Sequence, residues 1–427
     1  MRIDKNTTIR LGDRNIVKIK IGDSVIWQKT TGPVVGPDYF YIESLGDGNT
    51  VSVKNEGNGN TDNVTPTLEY STDKNTWNTI TFDWTNGTHT TELPVKLNTG
   101  EKMYFRNDTR KFSGSYDAYI TFSSSVSSNV GGDIRTLSNY LDVNSETKPQ
   151  TYMFCSLFYN NKNIVDASNL RLSYTSLATN CYSSMFGGCT SLTTAPTLPA
   201  TTLANNCYSS MFRYCTSLTT APELPATTLA ENCYQSMFSG CTSLTAAPEL
   251  PATTLTGNCY QSMFSGCTSL TAAPELPATT LAGNCYYEMF KGCSKLTVTH
   301  TLPATTLASN CYQYMFQDCS KLTTAPALPA TTLASQCYLC MFKGCTSLTT
   351  APTLPATTLA DYCYYYMFQG CSSLTSVTIY ATSTADSSFN SWLSNVAASG
   401  TVYNNGGVSL PKDSPSGIPT GWTEVKN

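Results

Sequence analysis

The sequence predicts an α/β repeat solenoid, in which 26-residue units of a short helix and a short parallel strand follow all-β segments. Three observations predict it: 16 of the 18 cysteines form pairs, the members of a pair are eight residues apart, and the pairs recur every 26 residues. The eight pairs are Cys181 and Cys189, Cys207 and Cys215, Cys233 and Cys241, Cys259 and Cys267, Cys285 and Cys293, Cys311 and Cys319, Cys337 and Cys345, and Cys363 and Cys371.

The first half of each unit has the pattern of a two-turn amphipathic helix. Cys181, Met185, Phe186 and Cys189 would share one face at a helical spacing. Asn180 and its equivalents are natural N-caps, and the glycines equivalent to Gly188 suit a left-handed C-terminal position. The Thr- and Pro-rich second half predicts brief parallel strands, because proline removes a ladder donor.

Six segments follow from the composition along the chain. They are a small β docking module (1–30), a linker (31–38), a β-sandwich-like domain (39–150), a degenerate capping repeat (151–180), the eight-unit solenoid (181–380) and a C-terminal cap (381–427). The sandwich prediction depends on strand patterns at residues 39–45, 50–54, 67–71, 77–82, 102–106 and 117–122. In the cap, Asp386 would begin a helix with Phe389, Trp392, Leu393 and Val396 on one face.

The cysteines are expected to be buried free thiols. A pair on one face among Met and Phe lacks the close spacing of zinc ligands, so no metal or other cofactor is predicted. A disulfide within a pair is disfavoured, because residues eight apart on a helix are about 12 Å apart. Disulfides between neighbouring coils stay open. The tyrosine after each first cysteine, from Tyr182 to Tyr364, is predicted to stack between coils.

Residues 181–380 resemble the leucine-rich repeats of BspA-type surface proteins of gut bacteria, their phages and some protists. The resemblance lies in the unit Met-Phe-x-Gly-Cys-Thr-Ser-Leu-Thr followed by Leu-Pro. It implies a leucine-rich-repeat-like fold and adhesion to host-surface glycans or proteins. Residues 1–30 resemble the N-terminal module of phage tail-associated proteins, which implies docking on other virion proteins.

Composition excludes several function classes. A net charge of -4 without a basic block disfavours nucleic acid, and two histidines leave little material for a histidine-based catalytic site. The chain shows no apolar run of membrane-spanning length and no signal peptide, so a virion surface is expected, on a phage tail or head fibre or as a decoration protein. A secreted bacterial adhesin at the cell surface is the alternative.

An enzyme is the least favoured interpretation. A glycan-degrading enzyme needs paired carboxylates, whereas the acidic residues of the repeats are spread mostly one to a coil. Homo-oligomerisation stays open.

The candidate ligand-binding residues occupy outward positions that differ from unit to unit. They are Tyr214, Tyr287, Tyr314, Tyr365, Tyr366, Gln313, Gln369 and Lys343. Aromatic and amide side chains of this kind suit sugar stacking or protein contact. Cys340 lies at such a position and is expected to be either a reactive thiol or a product of drift.

Overall fold

The computed structural model describes residues 37–57, 67–82, 87–109, 112–113, 119–144, 147–385, 387–414 and 416–426, with the backbone of four strands between residues 10 and 28. The chain divides into two compact units, Met1–Asp38 and Tyr39–Asn427. In the first, strands β1 (Arg10–Leu11) and β2 (Arg14–Asn15) pair antiparallel, as do β3 (Lys18–Ile21) and β4 (Ser24–Gln28). The Gly-Asp turns between them and most of the predicted linker lie outside the described residues.

The second unit begins with two sheets. Their elements are β5 (Phe40–Ser44), β6 (Asn49–Gly57), β7 (Glu69–Ser71), β8 (Asn78–Thr79), β9 (Gly87–Leu97), β10 (Lys102–Arg106), β11 (Ile120–Ser124), β12 (Ser128–Asp133), the four-residue helix α1 (Thr136–Asn139) and β13 (Ile164–Arg171). One sheet has the order β13-β12-β5-β10-β7-β8 and the other β11-β6-β9. Phe122 of the smaller sheet packs against Phe105 and Phe40 of the larger, at ring distances of 4.7 and 5.4 Å. The two sheets therefore share a core.

Two strands of this region were missing from the sequence-based prediction. Only two residues of β9 are buried, so it lacks hydrophobic alternation. Strand β12 contains Gly131 and Gly132, which read as a turn. In the structure a β-carbon on Gly131 would collide with the Tyr41 side chain, and Gly132 has a φ of +83°. Both glycines are needed for close packing against β5.

The sheets continue directly into the repeats. Strand β12 pairs in parallel with β13, which belongs to the first, degenerate coil. The Phe122 amide donates to the Leu157 carbonyl of that coil at 2.8 Å, and the Phe158 ring lies 5.9 Å from Phe40. The larger sheet and the hydrophobic core therefore both continue past the predicted domain boundary at residue 150.

The predicted repeat helices are wrong: in the described repeats the segment from Asn180 to Cys189 and its equivalents are successions of turns. Asn180, Ser184 and Gly188 have φ values of 56°, 54° and 75°, and a left-handed residue at every fourth position interrupts an α-helix. Over nine residues, a repeat of four residues per turn differs little from the 3.6 residues per turn of an α-helix. The side chains that the predicted helix would turn inwards therefore also point inwards in the observed turns. Asn180 is thus a left-handed residue instead of an N-cap, whereas Gly188 has the predicted left-handed conformation.

Alternate backbone amides of each turn segment bond in two directions. The Ser183 and Met185 amides donate within the coil, to the carbonyls of Asn180 and Tyr182. The Tyr182 amide donates instead to the Cys207 carbonyl of the next coil at 3.0 Å. Ladders of this kind join each coil to the next. A helix would close all of these bonds within one segment.

The second half of each coil forms parallel bridges instead of extended strands. Examples are Asp166↔Thr194, Thr220↔Ala246 and Thr324↔Thr350. Among the eight described units, a strand occurs in the last one. There β14 (Ser376–Ile379) has Thr378 at the position that proline occupies in most other units. The sequence pattern predicts this strand because it alternates over residues 374–380.

The interior of the solenoid consists of stacked columns. The Tyr column from Tyr182 to Tyr364 has ring distances of 5.7 to 6.1 Å between neighbouring coils. The Phe column from Phe186 to Phe368 has distances of 5.6 to 5.7 Å. All 18 cysteines are free and buried. The second thiol of each of the eight pairs donates to a phenylalanine carbonyl of the preceding coil, as Cys215 does to Phe186 at 3.1 Å.

The C-terminal cap repeats the turn structure once more. Asp386 lies outside the described residues, but Ser387, Ser391 and Asn395 have φ values of 52°, 53° and 58°. The predicted cap helix is therefore also a succession of turns, with Trp392 fully buried beneath it. Strands β14, β15 (Gly400–Asn404) and β16 (Trp422–Val425) form a parallel sheet beside this last coil. Among the described residues, no helix is long and apolar enough to span a membrane.

Candidate ligand-binding face

Four side chains of each turn segment lie outside the interior columns, although some, such as Ser183 at 2% and Leu339 at 8% exposed, are covered by their neighbours. Counting the first cysteine of a unit as residue one, these are residues three, four, seven and eight, and we call this surface the turn face. Coils are numbered one to eight from Cys181 to Cys363. In coil one the turn face is Ser183, Ser184, Gly187 and Gly188; in coil eight it is Tyr365, Tyr366, Gln369 and Gly370. Its residues vary because they do not enter the interior columns.

The predicted site residues occupy this face at different depths. Tyr214 is 50% exposed. Six others are half-buried: Tyr287, Tyr314, Tyr365, Tyr366, Gln369 and Lys343. Gln313 differs from the expectation, since it is only 8% exposed, beneath the side chains of adjoining coils. It is therefore withdrawn from the contact surface.

Coils five and six bring two tyrosines together. The rings of Tyr287 and Tyr314 meet edge to face at 5.6 Å and 83°. Lys291 lies with its Nζ 5.4 Å from the centre of the Tyr314 ring and 2.7 Å from Glu288 Oε1. The pair is thus held in place before any ligand arrives.

Coils seven and eight form a second, denser group. Tyr365 and Tyr366 meet at 4.1 Å and 74°, and Tyr362 packs on Tyr365 at 5.6 Å. Lys343 Nζ lies 5.4 Å from the Tyr366 ring centre. The hydrogen bond to Tyr366 raises the pKa of Tyr365 to about 12, so the Tyr365 hydroxyl is neutral at ordinary pH. Tyr362 was missed, although it replaces the asparagine that precedes the first cysteine in most units.

Cys340 lies between the two groups and beneath them. Its side chain is 2% exposed, and burial raises the pKa of the thiol to about 11 despite the nearby Lys343 and Lys291. The Cys340 amide donates to the Tyr365 carbonyl at 2.9 Å, and the Tyr314 amide donates to the carbonyl of the preceding residue, Leu339, at 2.9 Å, so Cys340 adjoins each group. The thiol is protonated and covered, which removes the expectation of a reactive cysteine. We call the joined surface the tyrosine patch: Tyr287, Lys291, Tyr314, Lys343, Tyr362, Tyr365 and Tyr366.

Tyr214 belongs to a separate part of the turn face, in coil two. Arg213 stacks on its ring at 4.7 Å and donates to its hydroxyl at 3.1 Å. The ring leans over Gly240 of the next coil, in the space where a β-carbon would lie. Asp318 leans over Gly344 in the same way. A large side chain at the eighth position thus requires glycine at the eighth position of the following coil.

No arrangement suited to metal chemistry occurs in the part of the chain that the structure describes, where no three His, Cys, Asp or Glu residues form a potential metal cluster. Burial raises the pKa of the interior thiols; for Cys207 it rises to about 12. Such thiols are poor nucleophiles and poor metal ligands. What the turn face offers is rings, two ammonium groups and amides, which is a surface for binding.

The family description "BspA type Leucine rich repeat region (6 copies)" matches residues 155–297, 234–357 and 261–396, which together span more than half of the chain. The chain belongs to this family. Its members are surface-associated, adhesin-type leucine-rich repeat proteins and are typically non-enzymatic. No curated protein matches the chain. A leucine-rich repeat protein of known structure from Bacteroides ovatus ATCC 8483 is similar at 14% identity and a TM-score of 0.38, covering 64% of this chain and 77% of its own.

Proposed function

We propose that this BspA-type protein is a non-enzymatic adhesin that binds a host-surface glycan or protein through the tyrosine patch. The observation that carries the proposal is the grouping of five tyrosines and two lysines on coils five to eight, the only part of the described turn face with such a group. Coils three and four carry Ser, Gln and Gly at the same positions. Binding is thus assigned to one half of the array.

The patch has the physical properties of a recognition surface. Tyrosine is enriched where proteins bind one another, because its ring buries apolar area while its hydroxyl keeps a polar partner. The rings of Tyr365 and Tyr366 already touch, so little side-chain entropy is lost when a ligand covers them. Lys343 has no ion-pair partner within 4.0 Å among the described residues and is available to an acceptor on the ligand.

Catalysis has little support from the repeats outside the turn face. The nearest aligned carboxylates of the repeats, Glu223, Glu249 and Glu275, are exposed and occupy equivalent positions on successive coils instead of opposite walls of a cleft. We therefore assign the solenoid to adhesion.

The setting of the adhesin has two candidates. Membership of a surface-associated family supports a bacterial cell surface, which we favour. The resemblance of residues 1–30 to a phage tail module supports a virion surface, with docking on other virion proteins through that segment. Antibodies raised against the full chain would distinguish the two, because they would label intact cells in one case and purified particles in the other.

The binding test compares tyrosines from two parts of the turn face on the full chain. Wild-type protein is applied to an array of host glycans and to immobilised host surface proteins, and then the Tyr365→Ser/Tyr366→Ser variant is applied. We expect the double substitution to weaken the detected interaction at least tenfold, since two central aromatic contacts are lost. The matched control is Tyr214→Ser, which removes an exposed tyrosine of coil two. Equal binding by all three proteins would refute the assignment of the patch.

A further inference from the structure

The hydrogen bonds that join one turn segment to the next all point the same way. In every coil the amides of Tyr182, Ser184, Phe186 and Gly188, or their equivalents, donate to carbonyls of the next coil towards the C-terminus. No bond of these ladders runs in the opposite direction among the described turn segments. Aligned peptide dipoles add, as they do in an α-helix, so the C-terminal end of this stack carries partial positive charge.

The last coil leaves its donors unused. Its carbonyls at Ser388, Asn390, Trp392 and Ser394 accept the amides of coil eight, at 2.8 to 3.1 Å. Its own amides at the alternate positions have no hydrogen-bond partner among the residues that the structure describes. These amides belong to Phe389, Ser391, Leu393 and Asn395. The end of the stack is therefore an edge of donors without acceptors, unlike a β-strand edge, where the two alternate.

The β domain packs on the other end of the stack, which disfavours a head-to-tail second copy as the partner. A head-to-tail neighbour would have to offer the carbonyls of its degenerate first coil. The Leu157 carbonyl of that coil already accepts the Phe122 amide from β11, and the Thr121 hydroxyl donates to Ser156. The β domain thus occupies part of the acceptor end, which favours a different acceptor at the donor end.

A pocket of about 240 Å³ lies beside the donor edge. Leu393, Ser394 and Asn395 form one wall, and the cap segment with Asp413, Ser414 and Thr420 forms the other. Leu393 is 1% exposed, so its unmatched amide is covered, whereas Asn395 is exposed and its amide is accessible to a ligand. Asp413 places one carboxylate of the chain on the far wall.

We propose that this pocket binds an anionic group, a carboxylate, sulfate or phosphate, through the backbone amide of Asn395 and the partial positive charge of the donor edge. An acceptor-only ligand matches a donor-only edge, and the aligned dipoles favour negative charge at that end. Asp413 repels the ligand and sets its affinity. The group comes either from a free anion or from an acidic sugar of a host glycan. The inference does not rest on the tyrosine patch, which is formed by other coils.

The test is calorimetric titration of the full chain with inorganic sulfate, inorganic phosphate, galactose 6-sulfate and uncharged galactose. We expect the anions to bind and galactose not to bind. Asp413→Asn should tighten anion binding about tenfold, because it removes a nearby like charge. Ser394→Asp should weaken it about tenfold, whereas Ser399→Asp, at an exposed position outside the pocket, should leave it unchanged.

The arms of the experiment separate the two sources. Similar affinities for sulfate and galactose 6-sulfate support a site for free anions, and a preference of tenfold or more for the sugar supports an acidic glycan. The proposal is overturned if wild-type protein and the Asp413→Asn variant both fail to bind any of the anions. It is also overturned if Ser394→Asp and Ser399→Asp weaken binding equally. Tyr365→Ser/Tyr366→Ser should leave anion binding intact, so failure here is distinguishable from failure of the proposed adhesion site.

Discussion

The interior columns and the turn face of the solenoid come from the same nine-residue segments, yet they differ in how they change along the array. The second residue of the segment is tyrosine in all eight coils and is buried in each. The third residue changes from coil to coil: Ser183, Ser209, Gln235, Gln261, Tyr287, Gln313, Leu339 and Tyr365. Stacking constrains the tyrosine on both sides, whereas the third residue lies outside the interior columns, where its size and polarity can change. One coil can therefore change its surface without changing its fold.

The largest expected effect is unfolding of the solenoid at alkaline pH, where its buried thiols ionise. Burial raises the pKa of Cys259 to about 11 and of Cys267 to about 12, and it raises the pKa of the buried tyrosines well above the usual value. Because the folded-state pKa is raised, the stabilising contribution is complete below the unfolded value near 9 and falls as pH increases. Each thiol then costs about 1.4 kcal/mol per pH unit.

The array contains 18 buried thiols, so the summed loss exceeds the total stability of an ordinary domain within about one pH unit. We expect cooperative unfolding between about pH 9 and pH 11, followed by circular dichroism and by the accessibility of the thiols to a disulfide reagent. Retention of the folded signal with inaccessible thiols throughout this range would contradict the account of the interior.

The next largest effect is the loss of one ring from an interior column. Phe264 stacks on Phe238 and Phe290 at 5.7 Å, so Phe264→Ala leaves a cavity between two coils. We expect the free energy of unfolding to fall by about 3 to 5 kcal/mol in a urea titration. The adjacent residue supplies the control, because Ser265→Ala on the turn face should change it by less than about 0.5 kcal/mol. A similar fall in the free energy of unfolding in Phe264→Ala and Ser265→Ala would contradict the distinction between the interior columns and the turn face.

A smaller effect tests how neighbouring coils interact on the turn face. Gly240 and Gly266 have almost the same φ, 75° and 74°, but Tyr214 fills the space beside Gly240 while the nearest atoms to Gly266 are 3.7 Å away. Gly266→Ala should therefore cost about 1 kcal/mol for the backbone alone, and Gly240→Ala about 1 kcal/mol more. In a Tyr214→Ser background the two alanine substitutions should cost the same. A difference that persists in that background would show that the ring is not its cause.

The repeat period and the burial of the columns could be predicted from the sequence, because a side chain that recurs every 26 residues among apolar neighbours has to stack on its own copies. The helix could not be excluded by the same reasoning. Cys181, Met185, Phe186 and Cys189 fit a period of 3.6 and a period of four about equally well. The decisive signal is Asn180 and Gly188 eight residues apart, with Ser184 midway between them, since Asn and Gly tolerate left-handed backbone.

The candidate site was predictable in part. Variation among units identified Tyr287, Tyr365 and Tyr366, and the structure brings the last two into contact. Variation among units does not show how deeply a side chain is buried. It therefore also selected Gln313, which is only 8% exposed. The donor edge at the last coil has no sequence signal, because it depends on backbone amides and on the direction of the ladders.

Three consecutive tyrosines of coil eight provide the most direct test that the interior determines stability and the face determines binding. Tyr364 is 1% exposed and stacks on Tyr338, whereas Tyr365 and Tyr366 lie on the turn face. In urea unfolding we predict that Tyr364→Ser lowers the free energy by about 3 kcal/mol or more, and that Tyr365→Ser and Tyr366→Ser each lower it by less than about 1 kcal/mol. Equal destabilisation by all three substitutions would contradict the division between interior and face.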